Sequence, residues 1–460
     1  MTSMASAAAA LTDLTGLAGV AGAPGSALSP LVDQPAADFS GTPLWVSAIK
    51  AVGVFVYLML QVVVVIWFER RVIGRMQDRL GPNRFGPWGI LQTVADGFKL
   101  IFKETFIPKN ADRFTYLLGP LLCGAIPFIA FAVIPVGGTV SMFGYTTPLQ
   151  VTDTPVAVLL VLAAAGVGAY GFLLMGWSSG STYPLLGGLR SAAQVISYEI
   201  AMGLSLVAVV LYAGSMSTSQ IVAAQDRIWF IIPAFFSFVV YVITMVGETN
   251  RVPFDVAEGE GEIVAGPHTE YAGMLFGMYY LGEYVAMFTV SGLATTMFLG
   301  GWQAPPGIAA IGDGMFNGGW WGLLWFTIKV WLFVFMFVWL RGTLPRTRYD
   351  QFMKFGWKVL IPSTLLWVLA VAFIRGAQLG YLGSNVVLAT VIVMGVIAAI
   401  ALAAAWVWDS HRARLSYQPP PPAEVDPFAG GYPVPPLPGQ RLSERGPTIA
   451  LPREQEANRG

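Results

Sequence analysis

The chain of 460 residues holds one cysteine and two histidines. A single thiol, Cys123, excludes a disulfide framework, and it excludes an iron–sulfur cluster held by this chain alone, which takes about four thiolates. Two histidines are too few for a self-contained haem or zinc site of the usual kind, and no metal-ligand set is expected. No GxxxxGK and no strand-linked GxGxxG occurs, which argues against a nucleotide pocket on this chain. Charge is scarce too, at 11% of residues, where a soluble domain carries about 25%. Lys plus Arg and Asp plus Glu both number 26, so the balance points to no nucleic-acid partner. Any redox cofactor must sit on a partner.

What is abundant is apolar: 55% of residues are hydrophobic and the mean hydropathy is +0.64. A helix needs about 20 apolar residues to cross a bilayer, and runs of that length cover roughly 44–68, 114–136, 155–177, 192–213, 228–247, 271–299, 320–341, 357–376 and 386–408. The expected fold class is all-α, a polytopic transmembrane bundle of about nine spans. All but four of the 26 basic residues (Lys50, Arg227, Lys329 and Arg375) fall in loops on one side or in the C-terminal tail. The positive-inside rule makes that side cytoplasmic. The chain is then expected to be multi-pass in the cell inner (plasma) membrane, with its N-terminus outside and its C-terminus in the cytoplasm.

Three segments stand apart from the spans. Residues 1–43 are rich in Ala, Gly and Ser and carry no Lys or Arg; without a basic n-region they read as a disordered N-terminal extension rather than a cleaved signal. Residues 44–408 hold the spans, and 409–460, with PPPPAEVDPFAGGYPVPPLPG, form a Pro-rich cytoplasmic tail that cannot build a packed core. In the first cytoplasmic loop, WGILQTVADGFKLIFKE places Leu91, Val94, Phe98, Ile101 and Phe102 at helical spacing, with Asp96, Lys99 and Lys103 on the other side. This is an amphipathic helix, either lying at the membrane surface or packing on the bundle with its charged face toward a cavity.

The acids are the candidates for chemistry. Glu199, in SAAQVISYEIAMG, and Glu283, in YYLGEYVAMF, fall inside the fourth and sixth spans. A charge at mid-bilayer costs about 2.5–3.5 kcal/mol, so such residues face a protein interior or a water-filled path. The bland reading is a protonated carboxyl that hydrogen-bonds a neighbouring helix. Between the fifth and sixth spans, GETNRVPFDVAEGEGEIVAGPHTEY carries Glu248, Asp255, Glu258, Glu260, Glu262 and Glu270 against one arginine, Arg251. Acid runs are most often solvated loops. Here the acids alternate with Val, Phe, Ile and Ala, and Glu283 continues the row into the membrane. Close carboxylates share protons and titrate as a coupled set, as a proton relay requires. Arg251 either neutralises these neighbours or polarises the head group of a polar ligand, with Phe254 covering its apolar body.

Four stretches in order carry a family resemblance: ERRVIGRMQDRLGPNRFGPWGILQTVADGFKLIFKE, SAAQVISYE, GETNRVPFDVAEGEGEIVAGPHTEYAGM and WLRGTLPRTRYDQFMKFGWK. Together they resemble the quinone-site membrane subunits of respiratory complex I, the proton-pumping NADH:quinone oxidoreductase of bacteria and mitochondria. The resemblance covers roughly residues 44–408. It implies a helical bundle with an interior quinone cavity, lined by Arg70, Asp96, Arg251 and Phe254. It implies an acidic path through Glu199, Glu248, Asp255, Glu258, Glu260, Glu262, Glu270 and Glu283 toward antiporter-like membrane subunits. Quinone would be the substrate, with FMN and iron–sulfur clusters on partner subunits of a soluble arm docked at the cytoplasmic loops. Small membrane subunits and lipid would complete the surroundings. Where the family pattern is closer to EAESELVAG, this chain reads EGEGEIVAG, with Gly259 and Gly261 as the departures. Two other readings remain open: a homologous subunit of a related pump with another electron donor, such as a membrane-bound hydrogenase, and a stand-alone secondary transporter.

Overall fold

A computed structural model describes residues 37–39, 41–226, 228–255, 259, 263–306, 315–379, 424–425 and 441–442. The chain divides into two compact units, Met1–Val393 and Met394–Gly460. In the second, Glu424–Val425 pairs in parallel with Arg441–Leu442. The first is almost wholly helical, as a bilayer demands, since every backbone N–H and C=O must be satisfied within the segment. Its helices are α1 (Leu44–Met76), α2 (Leu91–Phe102), α3 (Arg113–Phe131), α4 (Ala157–Ser178), α5 (Thr182–Ala213), α6 (Thr218–Ala224), α7 (Phe235–Glu248), α8 (Gly273–Phe298), α9 (Trp321–Thr343), α10 (Tyr349–Phe355) and α11 (Ile361–Gln378). A short antiparallel hairpin, β1 (Thr139–Met142) with β2 (Tyr145–Pro148), follows α3.

Among the described residues, six helices are long and apolar enough to cross a membrane: α1, α3, α4, α5, α9 and the continuous Tyr349–Gln378 stretch. This is a polytopic membrane helical protein. The expected sixth span is present as α8, with 26 residues, but Glu283, Tyr284 and the hydroxyls of Thr289, Ser291, Thr295 and Thr296 leave it less apolar than the other six. Those groups are tolerated because α8 is the most enclosed helix, buried on nearly every side from Tyr284 to Phe298. The expected fifth span is cut to the 14 residues of α7, about 21 Å at 1.5 Å per residue. Pro233 precedes it, and the Ile231 N–H is bonded to the Phe298 carbonyl instead of continuing a helix. The fourth span is longer than expected: α5 begins at Thr182, because Gly187, Gly188 and Arg190 lower hydropathy without breaking a helix. The expected span 386–408, the extension 1–36 and all but four residues of the tail lie outside the described residues.

In lipid, helices are held by close packing rather than by the hydrophobic effect. Gly282 of α8 shows how close: a Cβ there would lie 2.1 Å from the Cys123 carbonyl of α3. The following residue, Glu283, is thereby set against the α3–α4 pair.

Three of the four cations that break the basic-side pattern are bound to the fold. Lys50, 5% exposed, donates to the Thr147 hydroxyl and the Pro148 carbonyl of the hairpin, at 2.8 and 3.4 Å. Lys329, 4% exposed, donates to the carbonyls of Leu299, Gly301 and Gln303 at the end of α8 and lies over the Trp229 ring. Arg375 donates to the Leu211 and Tyr212 carbonyls at the end of α5. The fourth, Arg227, lies outside the described residues.

Candidate functional site: a charged junction between two cavities

A cavity of ≈ 1070 Å³ opens between α1, α2, α8 and the end of α9. One part of its wall is aliphatic, with Met59, Val62, Val63 and Ile66. The other is charged, with Glu69, Arg70, Asp96 and Arg341. The amphipathic helix α2 supplies part of that wall through Thr93, Asp96, Gly97 and Leu100, while Leu91, Phe98 and Phe102 stay exposed. Of the two placements anticipated for it, packing on the bundle is the one found, with Asp96 of its charged face toward the cavity and Lys99 and Lys103 exposed. Arg70 reaches from α1 to Asp96 on α2 with a 2.6 Å ion pair at the cavity rim.

Glu69 is the centre of the charged wall, and its side chain is 7% exposed. One carboxylate oxygen, Oε1, faces two guanidinium groups: Arg341 Nη1, from the last turn of α9, and Arg251 Nη1, at 3.4 Å. The other, Oε2, accepts the Tyr284 hydroxyl at 2.8 Å. Arg251 in turn pairs through Nε with Glu283 Oε1 at 3.0 Å, and its guanidinium lies 4.3 Å from the Tyr284 ring centre. Burial disfavours the Arg251 cation, but Glu283, Tyr284 and Glu69 outweigh it and hold the guanidinium well above its ordinary range. It is permanently charged.

Behind this junction lies a second, smaller void of ≈ 80 Å³, the volume of about two to three waters. Glu248, Asn250, Glu283 and Thr289 line it, with Cys123 and Ala169 among its apolar walls. Glu248 Oε2 and Asn250 Oδ1 are buried and have no hydrogen-bond partner among the described residues. Glu248, the last residue of α7, is also close enough to Glu199 on α5 for the two charges to interact. The Glu199 carboxyl packs on α4, where a Cβ at Gly166 would lie 3.3 Å from its Oε1.

The structure thus brings together Glu283, Glu248 and Glu199 in one direction and Arg70 with Asp96 in the other. Arg251 contacts a cavity-wall residue, Glu69, rather than lining the cavity itself. Phe254 goes elsewhere: its ring packs 4.6 Å from Phe352 and 5.8 Å from Tyr198 between centres. Asp255 is half-buried at the end of the Arg251 turn. Glu270 is half-buried near α3, where its carbonyl accepts the Tyr116 hydroxyl at 2.8 Å. Glu258, Glu260 and Glu262 lie outside the described residues. Between them, Gly259 has φ +45°, and a Cβ there would meet the Ile263 side chain at 2.8 Å. Its place in the EGEGE stretch therefore follows from the backbone.

Sequence reasoning missed Glu69, Tyr284 and Arg341. Glu69 sits just past the apolar run, beside two arginines, and reads as the start of a solvated loop. Arg341 reads as one more orienting charge. Their signal was an acid at the end of a span whose facing helix end carries an arginine, and only the fold shows which ends meet.

A mostly helical membrane bundle with an amphipathic cavity and internal acids defines a class of polytopic membrane proteins with charged groups held inside the bundle. A protein-family model described as NADH dehydrogenase matches residues 49–372. Across 411 residues, 88% of this chain and 89% of the other, the chain is 51% identical to the H subunit of the NADH-quinone oxidoreductase of Streptomyces avermitilis. The chain belongs to the NADH dehydrogenase family.

Proposed function

We propose that this chain is the quinone-chamber membrane subunit of a proton-pumping NADH:quinone oxidoreductase. The observation that carries the reading is the junction of Glu69, Arg251 and Glu283, set between an amphipathic cavity and an acid-lined void. A quinone pairs an apolar tail with a polar head, which suits aliphatic residues on one wall and Arg341, Arg70 and Glu69 on the other. The chain itself supplies binding, orientation and charge, while electrons arrive from FMN and iron–sulfur clusters on soluble partners. Those partners would dock at the basic end, where Arg79, Arg346, Arg348 and Lys354 are exposed. That end would face the cytoplasm, with the N-terminus outside.

In this reading the proton path runs from Glu283 across the void to Glu248 and on to Glu199, toward neighbouring membrane subunits. The acids of the Asp255–Glu270 loop would feed it from the basic end. The named relative, a subunit of an NADH-quinone oxidoreductase, supports NADH as the electron source, and the long apolar helices support a membrane location.

The test is steric. Gly277 lines the cavity, so Gly277→Phe fills it without altering charge. Quinone reduction by the assembled complex should fall at least about 10-fold, a barrier increase of about 1.4 kcal/mol. NADH oxidation with an artificial acceptor upstream should persist. Unchanged quinone reduction, or an equal fall in both rates, would defeat the assignment.

A further inference from the structure

The charged groups on the wall of the larger cavity are engaged with one another. Arg70 holds one oxygen of Asp96 at 2.6 Å, and Gln92 donates to the other at 3.2 Å. Glu69 is bonded by Arg341 and by the Tyr284 hydroxyl. Gln77 and Arg79, on the same wall, are exposed. Thr93 differs from all of these. It is 7% exposed and lines the cavity, and its Oγ1 is the one buried side-chain polar atom among the described lining residues that has no hydrogen-bond partner.

Thr93, Asp96, Gly97 and Leu100 recur at helical spacing, so Thr93 stands one turn before Asp96 on the face that α2 turns to the cavity. That face is fixed further along, where a Cβ at Gly277 of α8 would lie 3.2 Å from Leu100 Cδ1. A buried hydroxyl normally has a partner, and leaving it without one costs stability. Threonine in a helix divides between two χ1 rotamers, and at Thr93 no existing hydrogen bond is broken when the hydroxyl turns. With the neighbouring charges already paired, the group that fits this hydroxyl is an uncharged polar one at the end of an apolar body.

Resting on the quinone reading, we propose that Thr93 is a binding residue for the quinone head, its hydroxyl donating to a ring carbonyl of the quinone and accepting from the corresponding hydroxyl of the quinol. A hydroxyl carries one donor and two acceptor lone pairs, whereas a guanidinium only donates and a carboxylate only accepts. Thr93 therefore serves both redox forms, which neither Arg70 nor Asp96 does. The bond it makes to the head satisfies an atom that has no partner in the protein.

The experiment compares Thr93→Val and Thr93→Ser in the assembled complex, measuring KM and kcat for a short-tailed quinone and the thermal midpoint. Valine keeps the branched shape and the helix propensity and removes only the hydroxyl. Thr93→Val should raise KM about 2- to 12-fold, the range for one net hydrogen bond, with kcat near the parent value because both redox forms lose the same contact. Its thermal midpoint should equal or exceed that of the parent, since an unsatisfied buried group is gone. Thr93→Ser should keep KM near the parent value. An unchanged KM in Thr93→Val overturns the proposal. So does a lowered midpoint or failed assembly, either of which would give the hydroxyl a partner within the protein. A Thr93→Ser complex with the raised KM of Thr93→Val would assign the effect to the methyl group and overturn it too. Failure of the quinone reading is separate, because it shows in Gly277→Phe as undiminished quinone reduction.

Discussion

Arg251 and Phe254 are three residues apart in one turn, closed by the Phe254 N–H on the Arg251 carbonyl at 2.8 Å, yet they serve different neighbours. The arginine turns toward two acids. The phenylalanine turns toward Phe352 and Tyr198, and the Tyr198 hydroxyl in turn donates to the Phe352 carbonyl. That cluster joins the Arg251 turn to α5 and α10, and Gln194 reinforces it by donating to the Phe254 carbonyl at 2.9 Å. An aromatic pair contributes about 0.5–1.5 kcal/mol beyond its area. Phe254→Leu should therefore lower the thermal midpoint of the complex while leaving the KM for quinone near the parent value. A raised KM with an unchanged midpoint would put the ring at the ligand instead. Spacing alone cannot separate these outcomes, because a phenylalanine beside an arginine reads equally as ligand cover or as packing. The acids were easier to read: Glu199 and Glu283 are costly in lipid wherever they point, so their inward placement was legible from hydropathy.

At the scale of the helix, hydropathy reads what faces lipid and misreads what faces protein. The exposed, apolar α1 is found where its run lies, and it continues for two turns into the charged sequence because FERRVIGRM holds no proline and its one glycine does not stop the helix. The enclosed α8 is less apolar, and α7 is shortened by Pro233 and by the competing bond to Phe298. The ends of α5 and α8 show a further device that sequence does not reveal. The last carbonyls of a helix have no partner within it. Here Arg375 supplies one for α5, which carries Glu199. Lys329 binds the Leu299 carbonyl at the end of α8, which carries Glu283, together with the Gly301 and Gln303 carbonyls of the loop beyond it. Lys329 makes three bonds to carbonyls, one at the helix end and two in the loop after it, at 2.5 to 3.0 Å, and is 4% exposed. Hydrogen bonds to charged groups contribute about 1.5–3 kcal/mol each. Lys329→Met should reduce the yield of assembled complex and lower its thermal midpoint by several degrees. The reading of Lys329 as a helix cap is wrong if the Met variant assembles with an unchanged midpoint.

For the whole molecule, the distribution of charge and the bound cations argue for one orientation together. A positive-inside bias concerns cations that are free in loops, and Lys50, Lys329 and Arg375 are instead engaged by backbone and hydroxyl partners. With these three set aside, the described residues carry their exposed basic charge at one end. The hairpin β1–β2, tied to α1 by Lys50, lies at the other, with Trp45 packed on Phe143 and Tyr145. Aromatic residues of this kind favour the membrane–water interface. The site was harder to read than this polarity, because the junction joins α1, the loop after α7, α8 and α9, and no local pattern links Glu69 to residues 182 to 272 positions away. The polarity itself can be tested with little background, since the single native thiol, Cys123, is 5% exposed. Thr146→Cys, on the exposed side of the hairpin, should react in intact cells with a membrane-impermeant maleimide. Lys354→Cys, at the basic end, should react only after the membrane is opened. Labelling of Lys354→Cys but not of Thr146→Cys in intact cells would invert the molecule, place the acid-loop end outside, and remove the proposed docking of the soluble electron donors from that end.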